Sequence, residues 1–274
     1  MNDKKIRPGR YPAAIATSLL FLLLVLAGCQ KVIDLKLNNA SGKYVIEGNV
    51  TDLAGPYTVT IGQTGSVTGD YSFNGVSQAA VVIRDNAGNS ETLQEKSRGV
   101  YQTAVLSGVE GRTYYLSISL GGQRFTSSSV MPYRVNLDSI YVASVMNFDK
   151  SVRAIVPVFT DPPETGNSYR INQTINGVLD KTLYYENDNF INGRTNSMAL
   201  LRPDPDSTLH TGDRVDIEMQ CIDPAVYQYW FSLDESSLGN NNSNLPANPV
   251  TNIQGGALGY FSAHTSQTKT LVVK

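Results

Sequence analysis

The chain has 274 residues, of which 41% are hydrophobic and 17% charged, with a formal net charge of −2. That much apolar material excludes a disordered chain, and the lack of a basic excess argues against a nucleic-acid partner. Two cysteines, Cys29 and Cys221, exclude a scaffold held by several disulfides.

The first elements lie before residue 30. Lys4, Lys5, Arg7 and Arg10 precede an apolar run from Ala13 to Leu26, which ends in Leu26-Ala27-Gly28-Cys29. A positive start, a short apolar core and small residues at the end predict a secretory signal peptide over residues 1–28. The run is about 14 residues, short of the ~20 a membrane-spanning helix needs. Its ending resembles the bacterial lipobox, which implies cleavage between Gly28 and Cys29 and acylation of the Cys29 sulfur. Two or more acyl chains anchor a protein stably, where one does so only marginally. Residues 29–42 would then be a lipidated N-terminus and linker. The same cleavage removes four cations and one acid, Asp3, so the mature chain is more acidic.

From residue 43 to 130 the pattern is strand-like. "YVIEGNV" puts Tyr44, Ile46, Gly48 and Val50 on one face, and "YTVTI" does so with Tyr57, Val59 and Ile61. "AAVVIRD" followed by "DNAGN" and "SETLQE" predicts a hairpin around Gly88, and "TYYLSISL" turns at Gly121-Gly122 into "QRFTSS". Short period-two runs broken by Gly and Asn predict an antiparallel sandwich. "VSQAAVVIRDNAGN", "GVYQT" and "GRTYYLSI" make this half resemble immunoglobulin-like modules of the transthyretin or carboxypeptidase-regulatory type.

"SVMPYRVNLDSI" reads as a connector, because Pro132 bars a regular ladder position. Residues 131–274 predict a second β-rich domain with strands in "SIYVASVM", "RAIVPVFTD", "YRINQTING", "KTLYYEND" and "RVDIEMQCI". One helix is expected near 224–237: Asp223 suits the N-cap, Pro224 the first turn, and Val226, Tyr229, Trp230 and Leu233 recur at helical spacing. Trp230 is expected under the sheet and Cys221 as a buried thiol. The tail, "NIQGGALGYFSAHTSQTKTLVV", reads as two strands around a polar turn. The fold class is thus all-β, with two consecutive β-sandwich modules and one short helix in the second.

Little points to reaction chemistry. His210 and His264 stand apart, outside any zinc-ligand spacing, so no metal or other cofactor is expected. Asp204, Asp206 and "ENDNFING" supply oxygens but not the spacing of a calcium loop, and read as polar hairpin tips. Ser66 in "GQTGSVTGD" lacks a nucleophile elbow. Asp216 and Glu218 alternate with Val215, Ile217 and Met219, which places them on the solvated face of a strand. Fifteen tyrosines favour contact surfaces, although Tyr114 and Tyr184 suit cross-strand pairs. The long segment from Gly62 to Gly75 carries Tyr71 and Phe73, two apart and so aimed alike in an extended chain. These two are the candidate partner-binding residues.

"CQKVIDLKL", "YVIEGNVTDLAGPYTVTI", "GVYQT" and "NIQGGALGYFSA" together resemble a Bacteroidota lipoprotein family catalogued as domain of unknown function 4249. The resemblance implies an outer-membrane lipoprotein, anchored by the lipid on Cys29, that is encoded beside TonB-dependent receptors. A non-enzymatic binding accessory of such a receptor is the first functional expectation. The alternative is a structural or adhesion module with no transported ligand. Which face of the membrane carries the anchor stays open, since "CQKVIDL" has Lys31 but only one later acid, Asp34.

Overall fold

The computed structural model describes residues 42–65, 73–189, 191–204, 206–237 and 248–274. The first half contains β1 (Tyr44–Thr51), β2 (Thr58–Gln63), β3 (Ala80–Asp85), β4 (Ser90–Thr92), β5 (Gln94–Ser97), β6 (Val100–Gln102), β7 (Thr113–Leu120) and β8 (Gln123–Val130). The second contains β9 (Ser139–Asn147), β10 (Lys150–Val158), β11 (Ser168–Ile175), β12 (Val178–Leu179), β13 (Tyr184–Asn187), β14 (Arg214–Cys221), the helix α1 (Pro224–Ser237) and β15 (Leu258–Val272).

Alternation builds the first sandwich. Ile46 and Val50 of β1, Val59 and Ile61 of β2, and Tyr101 of β6 point inward from one sheet. Val81 and Ile83 of β3, Tyr114, Leu116 and Ile118 of β7, and Phe125 of β8 point inward from a four-stranded sheet ordered β4-β3-β7-β8. They form one apolar core. The β3–β4 turn is fastened from within: Asp85, 3% exposed, accepts hydrogen bonds from the Ala87 and Asn89 amides and an ion pair from Arg112 at 2.8 Å. Burial alone would raise the Asp85 carboxyl, but these donors and the Asn89 side chain outweigh it, and the net shift is downward.

The second sandwich faces the β9–β10 hairpin with β11, β14 and the far part of β15, around Ile155, Phe159, Tyr169, Ile217 and Met219. On the other face of that sheet, α1 packs Val226, Tyr229 and Trp230 against Ile222 and Tyr260. The protein is therefore all-β with sandwich modules and a single helix among the described residues, and Trp230 is packed between that helix and the sheet. Asp223 caps the helix, accepting from the Ala225 and Val226 amides at 2.9 and 3.0 Å.

The tail corrects the sequence reading. It is a single 15-residue strand, β15, without a turn in "SAHTSQ". Residues Leu258 to His264 pair in parallel with β1, and Thr265 to Val272 pair antiparallel with β14. One nine-stranded sheet, on the path β12-β11-β14-β15-β1-β2-β6-β5 with β13 beside β11, thereby runs through both sandwiches. The polar residues that mimic a turn are buried instead: Ser262, His264, Thr265 and Ser266 are all 4% exposed or less.

Candidate functional site

Gly28, Cys29 and Tyr71 lie outside the described residues. Phe73 is described, and it is 59% exposed. The chain there returns along β2, with Gly62 bridged to Gly75 and the Gln63 amide donating to the Asn74 carbonyl at 3.0 Å. The ring lies against both glycines, since an added Cβ on Gly62 or Gly75 would stand 3.0 or 2.9 Å from its carbons. One face of Phe73 thus rests on a glycine floor, beside a groove of about 370 Å³ lined by Val45, Glu47, Thr60 and Val100.

A larger cleft, about 490 Å³, opens where the two sandwiches meet. The end of β8 supplies Ser129 and Val130, the connector Tyr133 and Val135, and the far wall Tyr169 and Cys221 to Ala225. Its size suits a small ligand, and ligand sites favour such junctions. Its most buried polar groups, Asp223, Ser129, Cys221 and Tyr169, already have protein partners. Asp223, besides capping α1, accepts from the Ser129 hydroxyl and from the Val130 amide at 3.0 Å, which clasps one sandwich to the other. The Cys221 sulfur accepts from the Val135 amide at 3.3 Å, and the Tyr169 hydroxyl donates to Asp161. Val130 and Tyr133 form an exposed apolar lip, at 46% and 75%. Sequence pattern offers Asp223 only as a helix cap, because nothing local announces its partner on β8.

Burial pushes the Cys221 thiol above its usual pKa, and the side chain is 2% exposed. A maleimide is expected to label Cys221 slowly in the folded protein and rapidly in denaturant. Rapid native labelling would mean that the cleft opens to the thiol.

Glu218 also departs from the sequence reading. Rather than standing on a solvated face, it is half-buried beside His264, and its carboxylate accepts from Asn172 at 2.8 Å, Gln220 at 3.0 Å and Ser266 at 2.6 Å. Burial would raise this carboxyl, but the three bonds outweigh it and hold it below the ordinary value. Asp216 remains partly exposed, with Arg214 at 2.9 Å. His264 Nδ1 lies 2.9 Å from the Ser262 hydroxyl, and burial lowers its pKa to about 4. Serine, histidine and acid thus share a neighbourhood, yet Ser262 is 1% exposed and no substrate can reach its oxygen. The trio works as a satisfied polar layer beneath the helix side of the sheet.

Beside it the Arg170 guanidinium stacks 3.6 Å over Trp230, and Tyr229 and Tyr260 pack on the same indole. Tyr185, Tyr227 and Phe231 extend this aromatic surface along α1. Among the described residues no three His, Cys, Asp or Glu side chains gather as metal ligands. Asp188, read from sequence as part of a hairpin tip, is 8% exposed and accepts from the Gly166 and Asn167 amides.

No curated protein matches the chain. Among solved structures, it is similar to a two-domain fibronectin type-III segment of chicken tenascin, at 11% identity over 85% of this chain and 99% of that one, with a TM-score of 0.24. A cytokine receptor complex gives 10% identity over 84% and 95%, also at 0.24. Scores that low carry no argument. The match to a family is of another order, for the profile described as "Domain of unknown function (DUF4249)" aligns with residues 30–270. The chain belongs to the DUF4249 family.

Proposed function

We propose that the protein is a lipid-anchored, non-enzymatic binding accessory of the bacterial outer membrane that works beside a TonB-dependent receptor in nutrient uptake. The observation that carries this reading is the junction cleft, a preformed apolar hollow with an exposed lip between two sandwiches joined through one sheet. The Leu26-Ala27-Gly28-Cys29 ending supplies the anchor, with the Cys29 sulfur as the acylated atom. Phe73, with Tyr71 two residues before it, offers an aromatic contact to the receptor. On this reading the cleft holds a ligand or a segment of the receptor, and the anchor keeps the cleft at the membrane.

One observation favours a second reading, that of a structural or adhesion module. The buried polar groups Asp223, Ser129, Cys221 and Tyr169 of the cleft already have partners within the protein, so a ligand reaching them would gain mainly apolar contact. Mild detergent extraction of membranes carrying the full-length protein separates the two. Co-purification with an outer-membrane barrel is expected for the accessory, and recovery of the lipoprotein alone would overturn it. In the same fractions Cys29→Ser is expected to abolish membrane anchorage and leave an uncleaved or soluble product. A Cys29→Ser protein of mature size still in the outer membrane would refute the anchor.

A further inference from the structure

Among the described residues the strand β9 is left open along one edge. In a hairpin closed by the pair Asn147 and Lys150, the backbone groups of odd-numbered β9 residues point toward β10. The far side of β10 agrees with that parity: its Arg153 and Ile155 carbonyls accept from Leu209 and Leu200. The amides and carbonyls of Ile140, Val142, Ser144 and Met146 therefore point away from β10. Among the described residues they meet no partner strand, since β9 pairs with β10 alone. Among the described residues one edge of the hairpin is covered and the other is bare.

Edge strands are ordinarily blunted by a charge, a proline or a bulge. The stretch Ser139–Asn147, "SIYVASVMN", has none of these over nine residues. Its large exposed side chains are Tyr141 at 46%, Met146 at 62% and the adjoining turn residue Phe148 at 81%, and the other exposed positions are the serines Ser139 and Ser144.

We propose that β9 is a dimerisation edge, and that its occupant is the β9 of a second copy of this chain, added antiparallel about a two-fold axis at Ala143. The register follows from the parity. With Ala143 opposite its own copy, Val142 faces the partner's Ser144 and Ile140 faces the partner's Met146. Every outward amide and carbonyl of the four residues then finds a partner. On the other face, Tyr141 falls opposite the partner's Val145, an aromatic–β-branched pair of the kind that stabilises sheets. The small Ala143 at the axis lets the backbones close. No charged side chain lies between Ser139 and Asn147, so two copies meet without like-charge repulsion. A homodimer of this kind is isologous and closed, which halts further growth.

Ala143 on the axis is a non-hydrogen-bonded pair, with Cα atoms about 4.5 Å apart, within the range a disulfide spans. Full-length Ala143→Cys, mildly oxidised in intact envelopes, is expected to run as a disulfide-linked dimer. Its dimer fraction is expected to exceed those of Ser144→Cys and Val178→Cys by about tenfold, because thiols at those positions do not face their own copies. In mild detergent the unaltered protein is expected to capture a differently tagged copy of itself, and Ser144→Pro, which deletes an outward donor without breaking a β10 bond, to lose that capture. A monomeric Ala143→Cys protein, equal linking of the Ser144→Cys or Val178→Cys variant, or a disulfide from the Ala143→Cys variant to a different protein would each overturn the proposal.

Discussion

Gly259→Ala is expected to cost about 4 kcal/mol or to prevent folding, whereas Gly256→Ala, three residues earlier, costs about 1–2 kcal/mol. Both glycines hold positive φ, at 95° and 86°, where a side chain is strained. They differ in surroundings. An added Cβ on Gly256 meets nothing within 4 Å, but on Gly259 it would stand 2.0 Å from the Ile46 carbonyl oxygen. That oxygen is backbone of β1, the strand to which β15 pairs with Ile46 opposite Gly259. It cannot yield without pulling the parallel ladder apart. Urea unfolding of the two variants measures the difference. Near-equal midpoints would show that backbone strain, and not close approach, governs this position.

His264→Gln is expected to flatten the acid side of the stability profile. Burial lowers the folded pKa of His264 from 6.5 to about 4, so between these values the unfolded chain binds the proton and the folded protein does not. Stability is therefore full above the unfolded pKa and falls as pH drops through this window. The loss between pH 7 and pH 5 is about 2 kcal/mol, since each unit of difference is worth about 1.36 kcal/mol. Glu218, whose folded pKa is depressed, holds its contribution above its unfolded value and loses it only at lower pH, so the two separate along the profile. Urea midpoints at pH 7 and pH 5 for the unaltered protein and for His264→Gln test this. An equal slope in both would place the protonation elsewhere.

Much of the fold is legible because the local signals and the long-range contacts agree. The β3–β4 turn needs Asp85, Asn89 and a left-handed Gly88, and all three lie within five residues. The helix is announced by Asp223 and Pro224 because its cap is local. The strand β15 is not legible, because "SAHTSQ" is polar for a reason on the two strands beside it, whose residues lie far away in sequence. Ser266 donates to Glu218 on β14, and the Ser266 amide donates to Asp52 at the end of β1. A polar run with buried partners reads as a turn when only its neighbours in sequence are seen. The junction cleft is hidden likewise, as the Asp223–Ser129 contact joins residues 94 positions apart. The aromatics tell the same story in reverse: helical spacing places Trp230, while the Arg170 stacked on it carries no sequence signal.

The course of β15 also sets an order of assembly. The contact of Asp52 with Ser266 closes a loop of 214 positions, and β1 lies between β2 and β15 in the sheet. A chain emerging from its N-terminus exposes one whole side of β1 until β15 arrives. The first sandwich therefore cannot mature early and wait; it stays incomplete until nearly all of the chain is present. Under the export proposed for this chain, that delay is an advantage, since premature folding would jam the passage. The same delay has a hazard, because loss of the final strand would undo both sandwiches together rather than trim one.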